Sequence, residues 1–368
     1  MEVWTIGSAL RVCERLLTDG NDEHPRRSAQ WLLAAVCACS RLEIYMQLDR
    51  PLTGDERDRL RALLRRRLHH EPLQYLLGTA AFRHLELKVG PGVLIPRPET
   101  EVLVDLAREA LEALEAPDTR TAIRRQRRKA VPTNLQSQSG NAASDADTEA
   151  NATTVKVQPG NAASDGMTYI ADLCTGSGCV GLALAQECPN VQVWATDISC
   201  EAVALANENA HALGLNERFR AYHADLFQGV SPPPADQQAV LQGAAEIRET
   251  DLSGQAPDDP APAHNRKYHL IVANPPYLPH ADMDVLTPEI RDWEPALALD
   301  GGADGLDLAR RILLASFDRL LDSGVVLMEL DPRNVSAARN FALELDRYAR
   351  VEERSDLTGR PRFLVAHR

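Results

Sequence analysis

The stretch "ADLCTGSGCVGLALA", residues 171–185, decides the fold class. It carries an apolar run through Gly176, Gly178 and Gly181 into a second apolar segment, the spacing G-x-G-x-x-G between a strand and a helix. Glycines there let backbone approach a ligand closely, and the helix start that follows offers free N–H groups. A dinucleotide site, a nucleoside site and plain tight strand–helix packing all fit this spacing. Outward from it, the pattern predicts strands at 169–173, 191–196, 218–224, 268–273, 324–330 and 362–366. Helices are predicted at 179–187, 200–213 and 304–321. Such alternation means a parallel sheet covered by helices on both faces, an α/β, Rossmann-like architecture.

Strand ends carry the next signals. Asp197 closes the second strand ("VQVWATDIS"), near the offset at which a carboxylate meets ribose hydroxyls. Asp225 closes the third ("YHADLF"), placed to accept from the exocyclic amine of an adenine. Either acid alone reads as a helix N-cap; together with the glycine loop they describe an adenosine pocket. The fourth strand, "YHLIVA", runs straight into Asn274, Pro275, Pro276 and Tyr277. Prolines end strand pairing there and stiffen the turn. The Asn274 side-chain oxygen and the Pro275 carbonyl make two acceptors for one planar NH₂ group, on which Tyr277 can stack. Nicotinamide chemistry has no use for this arrangement. Methyl transfer to an amide or amino nitrogen does, because holding both N–H groups aims a delocalised lone pair at the methyl donor.

The N-terminal part reads as helical. "TGDERDRLRALLRRRLHH" opens with a Thr53–Glu56 capping box and keeps Leu60, Leu63, Leu64 and Leu68 at helical spacing. An earlier helix over Ser28–Cys39 is expected to bury Trp31, Leu32, Ala35 and Val36. A hairpin is predicted within Tyr75–Val93, and a helix near Pro98. These features divide the chain into a helical unit (1–75), a β-hairpin linker (76–97) and a catalytic unit (98–368). Two polar, low-complexity segments, 117–167 and 229–266, interrupt the last; the first repeats "GNAASD" at 140–145 and 160–165. Both are expected to be disordered insertions.

Composition bounds the rest. The 368 residues are 44% hydrophobic and 25% charged, ordinary for a globular chain. A net charge of −13 weighs against broad binding to nucleic acid phosphates. No run reaches the roughly 20 apolar residues of a membrane span, and no secretory signal is read at the N-terminus. Seven scattered cysteines fit a reduced cytoplasm. No metal-ligand spacing is present; His69 and His70 are expected to point apart on a helix.

The tetrapeptide NPPY resembles that of amino-group methyltransferases using S-adenosylmethionine. The flanking sequence narrows the resemblance to the protein-(glutamine-N5) methyltransferases acting on peptide chain release factors. "EPLQYLLGTAAFRHLELKVGPGVLIPRPETEVLV" (71–104), "DLCTGSGCVGLALA", "ATDIS" with "ALANENAHALGL", "ADLF" and "IVANPPYLP" follow in that family's order. "EPALALDGGADGLD" (294–307) and "DLTGRPRFLVA" (356–366) resemble its later motifs. The resemblance implies methylation of the glutamine in a Gly-Gly-Gln loop, a release factor as protein partner, and an N-terminal domain that helps dock it. It implies a cofactor-binding set of Cys174, Thr175, Gly176, Ser177, Gly178, Asp197, Asp225, Leu226 and Asn274. The first five wrap the cofactor's methionine part, Asp197 takes the ribose and Leu226 flanks the adenine. It implies that Asn274, Pro275, Pro276 and Tyr277 hold the substrate, with Asn274, Pro275 and Tyr277 as the catalytic group. Arg97 and Glu99 lie in its signature without an assigned role.

Three departures stand out: Cys174 where the family has glycine, "LMELDPRNV" in place of a Glu-Ile-Gly-x-x-Gln-like segment, and the two insertions. Rival acceptors are an exocyclic amine of DNA or ribosomal RNA and a ribosomal protein glutamine. Arg57, Arg59, Arg61, Arg65, Arg66 and Arg67 on one helix and "RRQRRK" at 124–129 would serve a nucleic acid, although a release factor could use them too. A non-catalytic binding descendant is the remaining reading.

Overall fold

The computed structural model describes residues 4–115, 166–228 and 267–368. The predicted insertions, apart from Gly166 and Met167, and "RRQRRK" lie outside the described residues. Five helices open the chain: α1 (Ile6–Asp19), α2 (Pro25–Cys37), α3 (Arg41–Met46), α4 (Gly54–Leu68) and α5 (Leu73–Leu77). Thr5, Ser40 and Thr53 start α1, α3 and α4 with capping boxes, so free N–H groups at three helix starts are satisfied locally. Their apolar stripes meet in one cluster built on Ile6, Leu17, Leu32, Leu33, Ile44, Leu60 and Leu64.

Three expectations fail here. Leu32 and Val36 are buried as expected, but Trp31 is 37% exposed and Ala35 is also exposed; Ala29 and Leu33 take their places on the buried face of α2. The apolar stripe is rotated by about one residue, and Arg41 covers the Trp31 ring from 5.1 Å. Nor do the arginines of α4 form one basic face. Arg67 is 6% exposed, donating to Asp22 at 2.6 Å and to Glu289 at 2.8 Å. Arg66 pairs with Glu71, Arg61 with Asp58, and Arg59 donates to the Val36 carbonyl at 2.7 Å. His69 caps α4 and His70 lies beyond it with φ 61°, so neither rides on the helix.

Tyr75 and Leu76 belong to α5, so the hairpin is shorter than read: β1 (Thr79–Phe82) against β2 (Leu85–Lys88). Helix α6 (Thr100–Glu115) follows. The main sheet then forms from β3 (Thr168–Leu173), β4 (Val191–Asp197), β5 (Phe219–His223), β6 (Tyr268–Ala273), β7 (Leu320–Glu329), β8 (Arg350–Ser355) and β9 (Pro361–His367). Between them come α7 (Cys179–Glu187), α8 (Cys200–Ala212), the short α9 (Pro288–Arg291), α10 (Asp307–Ser316) and α11 (Val335–Glu344).

Strand order is β5-β4-β3-β6-β7-β9-β8. The first five strands are parallel; β9 enters antiparallel between β7 and β8. The sheet is therefore mixed rather than wholly parallel, and β8 and α11 are additions to the expected elements. The helix expected at 304–321 ends at Ser316, and β7 begins at Leu320, earlier than read. Alternation along the strands builds two cores. Ile170, Leu270 and Val272 face α6–α8, while Tyr169, Leu173, Ile271 and Ala273 face the α10–α11 side.

Since β3 pairs with both β4 and β6, the chain changes winding direction there. Leu173 and Ala273 are register partners, so Cys174 and Asn274 leave the sheet side by side. That crevice at the carboxyl ends of the strands is where open α/β sheets take ligands.

Candidate functional site

The three loop glycines differ in cause. At Gly181 a β-carbon would stand 2.7 Å from Phe219, 2.8 Å from Asp172 Oδ2 and 2.9 Å from Val193, so α7 can lie on the sheet only without a side chain. Gly178, at φ 83°, would meet Leu182 at 2.9 Å. Both are packing glycines. Gly176, at φ 56°, has among the described residues only Val93 within reach, at 3.9 Å, and opens onto the crevice. Cys174 shares the left-handed conformation at φ 58°, which glycine adopts most easily and which accounts for glycine as the usual residue there. Its thiol is held well above the ordinary range by burial and by Asp197, Asp172 and Asp225 nearby.

Asp172, which the sequence reading missed, pins the loop from beneath. It is 2% exposed; its Oδ2 accepts from the Thr175 hydroxyl at 2.6 Å and from the Gly181 N–H at 3.0 Å. Burial pushes its carboxyl up to about 7 from 3.8, opposed by those two hydrogen bonds. The folded chain therefore retains a proton on Asp172 between pH 4 and 7 that the unfolded chain has lost, so this group's contribution to stability falls as pH rises through that window. Asp172→Asn, which cannot titrate, is expected to gain in melting temperature relative to the parent as pH goes from 4 to 8. A difference constant across that range would contradict the assignment.

Asp197 accepts from the Gly176 N–H at 2.9 Å and from the Ser199 N–H at 2.9 Å. Burial raises its carboxyl, and backbone donors oppose the rise. A carboxylate has about four acceptor positions, which leaves room for a diol. Asp225 is paired: a single nitrogen of Arg311 of α10 bridges its two oxygens, at 2.8 and 2.7 Å, which leaves each oxygen a further acceptor position. Leu226, at φ 57°, is buried beside it. Asn209 ties the Gly-rich loop to the hairpin, donating to the Ser177 carbonyl at 2.9 Å and accepting from Lys88 N–H at 2.8 Å.

Asn274 donates through Nδ2 to the Thr100 hydroxyl at 3.2 Å. The Tyr277 hydroxyl accepts from Arg362 at 2.9 Å and faces Glu329 Oε1 at 3.5 Å, and the guanidinium lies 5.2 Å above its ring. Arg362 also donates to Glu329 Oε1 at 3.1 Å. Burial raises the Tyr277 phenol, so it is neutral at physiological pH. The turn is clamped from outside: Leu278 N–H donates to Leu299 at 2.9 Å, Gly301 N–H to Leu278 at 2.8 Å, and Asn334 Nδ2 to the Tyr277 carbonyl at 3.4 Å. Arg97, unassigned from sequence, pairs with buried Glu294, which also accepts from Ile95 N–H at 3.2 Å; Glu99 is exposed. A cavity of about 240 Å³ opens beside Asn274 and Tyr277, walled by Leu94, Arg97, Asp331 and Arg362.

The segment that departs from the family pattern thus contributes Asp331 to this wall, Glu329 to the buried partner of Arg362 and Asn334 to the clamp on the Tyr277 carbonyl. A lone charge at the end of an apolar strand, "VVLME", was the signal for Glu329; nothing local marked Arg362 or Thr100. Among the described residues no cluster of three or more metal-ligating side chains occurs, and no helix is long and apolar enough to cross a membrane.

Residues 8–78 match the family model described as PrmC N-terminal domain, and residues 145–242 match that of the methyltransferase small domain. The chain is 32% identical to a release factor glutamine methyltransferase of Geobacter sulfurreducens over 89% of its length and 85% of the relative's. A protein of the same name from Moorella thermoacetica is 30% identical over 99% of both chains. The human MTRF1L release factor glutamine methyltransferase is 31% identical over 93% of this chain and 81% of the human one. With matches of that extent at both ends of the fold, the chain belongs to the release factor glutamine methyltransferase family.

Proposed function

We propose that the chain transfers one methyl group from S-adenosylmethionine to the side-chain amide nitrogen of the glutamine in the Gly-Gly-Gln loop of peptide chain release factors, in the cytoplasm. The observation that carries this reading is the placement of Asn274, on a clamped turn, directly beside the Gly-rich loop at the switch point of the sheet. The residues present fit the cofactor: Gly176 leaves the loop open, and Asp197 retains acceptor positions for ribose hydroxyls. Cys174, Thr175, Gly176, Ser177 and Gly178 would hold the methionine part, with Leu226 against the base. Asp225, paired with Arg311, keeps acceptor positions for the exocyclic amine of the base.

When bound, the cofactor supplies an electrophilic sulfonium methyl. The protein's part is position. Asn274 Oδ1 and the Pro275 carbonyl accept the two amide N–H groups of the glutamine, Pro276 stiffens the turn, and Tyr277 stacks on the amide plane. An amide lone pair is delocalised and weakly nucleophilic; fixing both N–H groups turns it toward the methyl and favours the positive charge that develops on nitrogen. The transferred methyl replaces one N–H proton, which leaves to solvent. Pairing of Arg61, Arg66 and Arg67 with carboxylates within the helical unit favours a protein acceptor over a nucleic acid, because their charge is already answered. That unit, residues 1–75, is assigned to docking the release factor.

Incubating a purified release factor with the chain and S-adenosylmethionine tests the reading. A gain of one methyl by intact mass is expected; an unchanged mass, with cofactor binding shown by calorimetry, would overturn it.

A further inference from the structure

The cavity beside Asn274 and Tyr277 has one wall without a core of its own. Leu286 and Ile290 stand in that wall, yet no residue in 280–293 is buried. The α9 helix within it has four residues, a single turn, too short to hold its shape unaided. Its place therefore depends on contacts that reach it from outside. At the front, Asp282 pairs with Arg333 at 2.6 Å. The back is held by the helical unit. Glu289 accepts from Arg67 Nη2 at 2.8 Å, and Trp293 donates through Nε1 to the His69 carbonyl at 3.2 Å. Arg67 is a firm anchor. Its Nε donates to Asp22 at 2.6 Å and its Nη1 to the Glu71 carbonyl at 2.8 Å, so the planar fork is fixed before Glu289 meets it. Successive helix residues point about 100° apart, which turns Glu289 to Arg67 and Ile290 to the cavity.

We propose that Arg67 and Glu289 are positioning residues for the acceptor, so that the helical unit sets one wall of the glutamine cavity in addition to docking the release factor. Asn274 and Pro275 fix only the amide end of the glutamine. A wall that stands off leaves the rest of the side chain free to pivot about that end, and the aim of the nitrogen at the methyl is lost. Through Glu289, the buried guanidinium of one unit holds Ile290 against the cavity of the other. This inference deepens the proposed function and rests on it.

Glu289→Ala removes the link and leaves Arg67 with Asp22 as its counter-charge; the Glu289 side chain is 33% exposed, so no core is opened. Its kcat/KM on the release factor is expected to fall about tenfold, less than the roughly 10²-fold that a 1 Å misplacement of reacting groups can cost. Arg67→Lys, which keeps the charge beside Asp22 but loses the fork that reaches Glu289, is expected to lose as much. Glu289→Gln keeps an oxygen for Arg67 and is expected to recover most of the rate. Two readouts separate positioning from docking. Calorimetry with a release factor altered Gln→Ala in its Gly-Gly-Gln loop reports docking alone, and its affinity for Glu289→Ala is expected to equal that for the parent. Ile290→Ala removes the side chain that the link aims, so adding Glu289→Ala to it is expected to cost little more. A parent active on the release factor, with Glu289→Ala at parental kcat/KM, weaker binding of the Gln→Ala factor, or losses that multiply in full with Ile290→Ala, overturns the inference alone. A parent inert on the release factor overturns the acceptor assignment and this inference with it.

Discussion

Replacing Asn274 by alanine is expected to lower kcat by about 10²–10³-fold, the loss seen when one preorganised polar contact to a developing charge is removed. Pro275 keeps its carbonyl, so one of the two acceptors remains and a residual rate survives. Binding of S-adenosylhomocysteine should fall by less than the rate, because Asn274 is one of nine residues in the cofactor set and the Gly-rich loop itself is held by Asp172 and Asp197. Stability should fall only slightly: Thr100 loses one donor, worth about 1 kcal/mol. Steady-state kinetics beside calorimetry and a melting curve check all three. Parental kcat in a folded Asn274→Ala protein would remove the site from the reaction.

Gly305→Ala is expected to be nearly as damaging, from outside the pocket. Gly305 sits at φ 78°, and a β-carbon there would lie 2.3 Å from the Tyr277 carbonyl oxygen and 2.6 Å from Asn334 Nδ2. Neither can move freely. The Tyr277 carbonyl belongs to the turn clamped by Leu299 and Gly301, and Asn334 also holds the Asp304 carbonyl at 2.9 Å. Relief of the clash must displace the acceptor turn, and a shift of about 1 Å near reacting groups can cost 10²-fold. Gly214→Ala is the control: φ is 68°, with nothing among the described residues within 4 Å of the new carbon. It bears only the left-handed penalty, about 1–2 kcal/mol, far from the turn. Gly305→Ala should therefore lose activity at temperatures where both variants are folded. Equal kcat in the two variants would show that the 301–305 segment does not hold the turn.

How far the sequence discloses this site depends on whether a contact is local. The Gly-rich loop and the Asn274 turn each fall within a few residues, where period, glycine spacing and proline speak directly. Asp172 was also local, since its partners are Thr175 and Gly181, but it lies inside an apolar run and reads as strand. The Glu329–Arg362 pair is another matter. It exists because β9 enters antiparallel beside β7, pairing Glu329 with Phe363, the neighbour of Arg362. The segment forming β8, "RVEERS", carries one apolar residue at its buried position and five polar ones, too little alternation to announce a strand. Without β8 the place of β9 could not be deduced, and without β9 neither could the partner of Glu329. Trp31 shows the converse: size suggested core, but the stripe of α2 turns it outward onto Arg41.

Acceptor identity is the central claim, and a competition assay with isotope-labelled methyl donor reaches it most directly. The chain is presented together with a purified release factor, ribosomal subunits and unmethylated DNA, and the label is located by tandem mass spectrometry of peptides and nucleosides. Label on the side-chain nitrogen of the Gly-Gly-Gln glutamine, lost with Asn274→Ala, is the predicted result. Label on a ribosomal protein, on ribosomal RNA or on DNA, with the release factor unlabelled, would contradict it.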